Sequence, residues 1–378
     1  MPTRAETLLA SVARDGRIIE VGPSYNPIAP KTEGWNSFSI DHLTREGLVA
    51  KYTGHPGVDI SRIEPVDFIW AGGMLSDAVP PDQHGSFDAF VAGHVIEHTP
   101  DLIAFLDSAS TLLKPHGVMI LAIPDKRYCF DYFRPLTTTG QLLEAHASRR
   151  SLHGGRLAFD QVAYFVTDGG AIAWGPRPSQ GIRFMHGLED ASYQFRIFEN
   201  NSYYADIHAW CFVPSSFELL LLELARLGQT DWRVERVTSA EGCEFFAWLH
   251  RGGGAHVAVL SVEEINTQRM TLLKRTLQET QAQIEWLLAG EPELVTGQYA
   301  ALQRVAAESQ RETIEMRQRL DEMRQRLDVA EGQYATALQR VAALEASTSW
   351  RVTAPLRTLV HRLRRTAAWI VDRKMMWT

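Results

Sequence analysis

The sequence predicts an α/β protein: a Rossmann-like, doubly wound, mainly parallel sheet with an inserted lid, followed by a long α-helical coiled coil and an amphipathic C-terminal helix. Three observations carry this. Short, almost uninterrupted apolar runs alternate with helical patterns over the first 125 residues, as βαβ units buried on both faces require. The stretch 126–212 is too long for a plain connection. Beyond residue 262 the chain turns rich in Gln, Glu and Arg, with apolar residues stepping alternately by four and three.

The strands fall in order at "GRIIEVG" (16–22), "SFSID" (37–41), "VDFIWA" (66–71), "FDAFVAG" (87–93) and "VMILAIP" (118–124). Between the last two, "TPDLIAFLDSASTLLKPHG" predicts a helix. Thr99 caps it, Pro100 takes the first position, Asp101 complements the positive end, and 114–117 stops it. These elements make residues 1–255 one domain, with 126–212 as lid or acceptor region. "EMRQRLD" at 315–321 repeats at once at 322–328. The seam Tyr299, Leu302, Ala306, Ser309, Thr313, Met316, Leu320, Met323, Leu327, Ala330, Tyr334, Ala337, Val341 and Leu344 places a coiled coil over 262–346, broken near 289–295 by "AGEPE". Such a stripe is buried by self-association, so a homo-oligomer is expected. The tail, 347–378, combines Leu356, Leu359, Val360, Leu363, Ala367 and Ile370 at helical spacing with Arg357, Arg362, Arg364 and Arg365, and with Trp350, Trp369 and Trp377. That composition suits an anionic membrane surface or a partner helix.

The formal net charge of −7 argues against a nucleic-acid binder, and three cysteines without C-x-x-C spacing argue against a disulfide framework or a cysteine zinc site. Neither a secretory leader nor a membrane-spanning run is evident, so the expectation is a cytoplasmic protein, peripheral on the inner membrane face.

The chemistry starts at "RIIEVGPSYNP" (17–27). A strand, then Glu20-x-Gly22, then a second strand ending in Asp41 is the layout of a nucleotide site, the acid accepting from a ribose diol. A dinucleotide needs glycines against its pyrophosphate, whereas Ser24 and Asn26 stand here. S-adenosylmethionine has no phosphate, and Asn26 tolerates the left-handed conformation.

The pieces "FDAFVA", "HVIEHTPD", "LLKPHG" and "LAIPD" within 86–125 resemble the fourth strand, following helix and fifth strand of class I S-adenosylmethionine-dependent methyltransferases. "EVGPSYNP" resembles that family's first motif and "SIDH" its ribose motif. "PDKRYCFDYFRP" with 203–228 resembles a bacterial subgroup associated with surface-polysaccharide (O-antigen type) genes. "STSWRVTAPLR" (347–357) resembles a tail found after coiled coils in polysaccharide glycosyltransferases and fused methyltransferases. The resemblance implies a cofactor pocket shaped by Glu20, Gly22, Ser24 and Asn26, with Asp41 on the ribose. Adenine would lie near Gly73 and Met74, and His94 beside the sulfonium. Ser24 and Asn26 replace the family's glycines, and His116 replaces the second glycine of its "KPGG". The acceptor it implies is a saccharide or lipid-linked glycan, methylated on oxygen.

In the lid, Asp206 and His208 are spaced to point the same way on an extended segment, as an orienting carboxylate and a base. His146, His153, His186 and 202–204 enrich the same region, and Arg127 and Arg134 could meet an anionic sugar or phosphate. "HVIEH" also spells an inverted zinc-peptidase motif, but its letters precede the expected helix. His94, Glu97 and His98 remain an alternative metal set that would orient an acceptor; otherwise no metal is expected. Two other readings stay open: a catalytically inactive methyltransferase-like scaffold at the membrane, and a nicotinamide-dependent sugar-modifying enzyme.

Overall fold

The computed structural model describes residues 2–199, 204–290, 292–353 and 355–364. Its centre is β1 (Ile18–Val21), buried throughout and paired in parallel with β2 (Ser37–Asp41) on one side and β4 (Phe87–Gly93) on the other. Outside these lie β3 (Phe68–Ile69) and β5 (Leu113–Pro124). An insertion carries the small antiparallel hairpin β6 (Val166–Asp168) and β7 (Ile182–Phe184). The chain then returns as β8 (Trp232–Val237) and β9 (Glu244–Arg251). The seven-stranded order is β3-β2-β1-β4-β5-β9-β8, with β9 antiparallel to both its neighbours.

Alternate residues of one strand feed two cores. Phe90 and Ala92 of β4 belong to the larger cluster and Ala89 and Val91 to the smaller one on the opposite face. This two-sided burial is why the strands read as continuous apolar runs. The helices are α1 (Arg4–Leu8), α2 (Arg45–Tyr52), α3 (Leu102–Leu112), α4 (Thr139–Ala147), α5 (Gly155–Ala163), α6 (Leu188–Glu199), α7 (Pro214–Arg226), α8 (Gly253–Ala258), α9 (Val262–Gly290) and α10 (Pro292–Ala346). The insertion, with α4, α5, β6, β7 and α6, runs from the end of β5 to the start of α7.

Three expectations are corrected. Helix α3 starts two residues later than Thr99-Pro100 suggested, because the Asp101 carboxylate takes the Ala104 amide at 3.0 Å and is the cap. It ends at Leu112, and the 114–117 segment, expected to be a stop, is already strand. The third strand shrinks to two residues within 66–71.

The largest difference concerns α9, which was expected in the coiled coil. Instead it packs on α7 and the insertion. Ser215 donates to Glu279 at 2.5 Å, Arg269 pairs with Glu223 at 2.7 Å, and Gln283 donates to the Tyr132 carbonyl at 2.7 Å. Ile265 is buried with Ala225 and Val257. The chain accordingly divides at Leu294, after α9, rather than near residue 255.

In the second unit, residues 295–378, α10 is followed by α11 (Thr348–Val352), and residues 355–364 are helical. The seam residues Met316, Leu320, Met323, Leu327, Tyr334, Val341 and Leu344 are all exposed, as are Leu356, Leu359, Val360 and Leu363. Arg365, Ala367, Trp369, Ile370 and Trp377 lie outside the described residues, as do the side chains of Trp350 and of the early seam residues Tyr299, Leu302, Ala306 and Ser309. No described helix is long and apolar enough to cross a membrane.

Candidate active site

The loop after β1 is held by its own polar groups. Glu20, buried at the centre of the sheet, accepts the amides of Ile28 at 2.6 Å and Ala29 at 3.0 Å. It therefore folds the loop back on itself and acts as a positioning residue. Burial pushes its carboxyl up to about 7, although those two amides pull the other way. Gly22 has φ +63°, and a Cβ there would meet Val95 Cγ2 at 3.0 Å. Ser24 occupies the left-handed region too, at φ +48°, so a non-glycine residue holds the conformation that glycine ordinarily supplies.

Asp41, at the carboxyl end of β2, is buried and ties the two loops together. It accepts the Ser24 amide at 3.2 Å and the His42 amide at 2.8 Å, and meets His42 Nδ1 at 2.7 Å. The Ser24 hydroxyl is buried without a hydrogen-bond partner among the described residues. A carboxylate with lone pairs to spare and an orphaned hydroxyl flanking a tight turn fit a nucleoside-bearing ligand. Beyond β3, Gly72 and Gly73 both have positive φ, and Met74 is exposed at 37%.

At the end of β4 the backbone turns at His94, φ +54°. Its Nε2 meets Glu244 Oε2 at 2.9 Å, and Glu244 is in turn clasped by Arg4 at 2.6 and 2.9 Å. A Cβ at Gly93 would sit 2.9 Å from Arg4 Nη2 and 3.0 Å from Ile28 Cδ1, so those side chains would have to shift. Neither Arg4 nor Glu244 was singled out from sequence. They are distant in the chain, and nothing in their local patterns marks them.

Next come Glu97 and His98. The insertion's return segment brings His208 to them, through amides of Ala209 and Trp210 that donate to the Glu97 carbonyl at 2.7 and 3.2 Å. The Trp210 indole also donates to the Thr99 carbonyl at 2.7 Å. The expected Asp206–His208 pair is not the one found. Asp206 Oδ1 lies 2.9 Å from His98 Nδ1, while His208 Nδ1 is held by Asp131. On an extended segment side chains two apart share a face, but here two different elements stand opposite that face. His208 and Arg134 hold the buried Asp131 carboxyl well below the usual range, outweighing its desolvation. Contact with His98 holds Asp206 down at about 2. Burial pulls the His98 imidazole down, but Asp206 and the charge of Glu97 outweigh it and its pKa is raised.

Other insertion residues are structural. Arg127 is buried and bonded to both Asp125 oxygens at 2.9 and 2.6 Å, and Arg134 is buried against Asp131 at 2.7 Å. Neither is free to meet an anionic sugar. His146 is 3.0 Å from Asp101, and His153 meets the His98 carbonyl at 2.9 Å. His186 is exposed, packing edgewise on Phe165. Ser202 and Tyr203 lie outside the described residues; Tyr204 donates to the His98 carbonyl at 3.3 Å.

Residues 4–187, which hold both loops and most of the insertion, match the family described as "Methyltransferase domain". The chain carries a methyltransferase domain over that stretch. The loop residues described above fit S-adenosyl-L-methionine as a ligand. The fold is similar to an Aquifex aeolicus S-adenosylmethionine-dependent methyltransferase, at 11% identity over 65% of this chain and 88% of that one, TM-score 0.31. It is similar to the trans-methyltransferase CalH complexed with S-adenosylhomocysteine, at 12% identity over 66% and 54% of the two chains, TM-score 0.33. It is also similar to a putative zinc-dependent alcohol dehydrogenase from Rhodobacter sphaeroides, at 10% identity over 66% and 91%, TM-score 0.39. Likenesses this distant do not separate one chemistry from another. No curated protein matches the sequence.

Proposed function

We propose that this methyltransferase O-methylates a saccharide during cell-surface polysaccharide biosynthesis, at the cytoplasmic face of the membrane. The observation that carries it is the rim of exposed His94, half-buried His98 and buried His208, each with a carboxylate beside one ring nitrogen. A hydroxyl acceptor must lose a proton during transfer, and such imidazoles are suited to take it. The insertion adds exposed aromatics, among them Phe133 and Phe184 with ring centroids 6.0 Å apart, which suit the apolar face of a sugar ring. Asp41 would hold the ribose hydroxyls, Gly22, Ser24 and Asn26 would line the methionine end, and Gly73 and Met74 would flank the adenine. S-adenosylmethionine supplies an activated methyl carbon; the chain aligns an acceptor oxygen with it. The exposed seam of α10 supports a homo-oligomer through a coiled coil, and the basic tail supports attachment to an anionic membrane or lipid-linked acceptor.

Calorimetric titration of the full chain with S-adenosylmethionine tests this reading. Micromolar binding is expected, weakened about 10- to 100-fold by Asp41→Ala, the worth of a charged hydrogen bond at about 1.5–3 kcal/mol. A folded protein that binds NAD instead, or binds neither, overturns it in favour of the nicotinamide enzyme or the scaffold.

A further inference from the structure

We infer that Glu97, His98 and His208 form a binding site for one divalent transition-metal ion, which chelates two neighbouring hydroxyls of the acceptor. One carboxylate oxygen and two imidazole nitrogens lie within 4.8 Å of one another. The Nε2 atoms of His98 and His208 stand 3.6 and 4.0 Å from Glu97 Oε1. Donors bound to one ion at about 2.0–2.2 Å are themselves about 3.0–3.5 Å apart, so a small inward movement closes the set.

Two independent features point to a ligand. Glu97 is 1% exposed, yet neither carboxylate oxygen has a hydrogen-bond donor among the described residues. A buried carboxylate without donors is costly unless something cationic completes it. Secondly, each imidazole presents Nε2 inward while a carboxylate stands at its Nδ1. Asp131 bonds that of His208, the outer-shell arrangement that fixes the tautomer of a metal-binding histidine, and Asp206 lies 2.9 Å from that of His98 without hydrogen-bond alignment. Two imidazoles and one carboxylate select first-row ions such as Mn²⁺, Fe²⁺, Co²⁺ or Zn²⁺ over Mg²⁺ and Ca²⁺, which prefer oxygen.

The set differs from the sequence expectation of His94, Glu97 and His98. His94 Nδ1 is 3.8 Å from Glu97 Oε1 but falls outside the three-atom cluster, and its Nε2 is committed to Glu244. His94 is then the base and His208 a ligand. Three protein donors leave coordination positions open, and a vicinal diol of a sugar fills two of them. This role rests on the methyltransferase reading above. One diol hydroxyl gives its proton to His94 Nδ1, and its oxygen forms the bond to the methyl carbon. The carbon–sulfur bond breaks, and its electron pair stays on sulfur as S-adenosylhomocysteine leaves.

The test is titration of the chelator-treated full chain with Co²⁺, followed by visible absorption, with Zn²⁺ as competitor and S-adenosylmethionine calorimetry on the same samples. One equivalent of Co²⁺ should bind at micromolar concentration and be displaced by Zn²⁺ but not Mg²⁺. His208→Gln should abolish it. Asp206→Asn, at an exposed position that does not threaten folding, should weaken it about 10-fold or more. Failure to bind Co²⁺ below millimolar, or equal binding by both variants, overturns the site. Cofactor binding without Co²⁺ binding sinks the site alone; Co²⁺ binding without cofactor binding sinks the methyltransferase reading and leaves the ion site standing without its diol.

Discussion

The loop after β1 and the loop after β4 sit at the same edge of one sheet and use buried carboxylates in opposite ways. Glu20 and Asp41 spend theirs on backbone amides, four of them at 2.6 to 3.2 Å, so the loop is shaped before any ligand arrives. Glu97 is as buried, but no donor reaches it; only imidazole nitrogens face it, at 3.6 Å and beyond. The first loop is complete as folded and needs only to be approached. The second leaves a buried carboxylate faced by imidazoles alone, and the proposed ion site rests on that difference.

The largest way to break this contrast is Glu97→Leu. If Glu97 is an uncompensated buried carboxylate in the ion-free protein, removing it stabilises the fold by about 1–3 kcal/mol at pH 8. The same variant should lose all stabilisation by Zn²⁺, whereas the parent gains it through mass action. Thermal unfolding with and without ion reads both effects. A variant less stable than the parent without ion would mean that Glu97 is satisfied as folded, and that the two loops are alike.

A smaller effect concerns Glu20. Its folded pKa, raised to about 7 by burial, exceeds the unfolded carboxyl value near 4.5. The folded state therefore holds a proton that the unfolded chain has already lost. This contribution is fully present below pH 4.5 and is lost as pH rises through about 7. Unfolding midpoints across that window should fall less steeply with pH in Glu20→Gln than in the parent. Parallel curves would show that the two amides, not burial, set its ionisation.

Sequence reading placed the strands that flank the first loop well and the partners in the second loop poorly, for a physical reason. Strands buried on both faces announce themselves as apolar runs, so β2 and β4 were placed to the residue and Asp41 at its strand end. A loop that closes on itself is also local: Glu20, Gly22 and Ser24 lie within five residues. The second site is assembled from Glu97, Asp131 and His208, joined only when the insertion folds back. Sequence spacing suggested Asp206 for His208 because it counts positions along one segment, not what stands opposite. The same limit hid Glu244 behind His94, 150 residues away. It also placed α9 in the coiled coil, since a helix that docks on α7 keeps the polar composition of one that does not. Ile265 and Gln283 are its buried positions, too sparse to break the pattern.

The finest adjustment is Ser24→Gly. At φ +48° serine is held in a region that costs an L-residue about 1 kcal/mol, while glycine enters it freely but brings more unfolded-state entropy. The two terms nearly cancel in stability, so the midpoint should move by no more than a few degrees. Affinity for S-adenosylmethionine separates the uses of the residue. If the orphaned Ser24 hydroxyl exists only because its backbone amide must reach Asp41, glycine preserves that amide and binding is unchanged. If the hydroxyl itself awaits the ligand, losing a neutral hydrogen bond of about 1 kcal/mol weakens binding about 5-fold. The second result would show that even the loop complete as folded keeps one polar group in reserve, and the contrast between the two edges would then be one of degree.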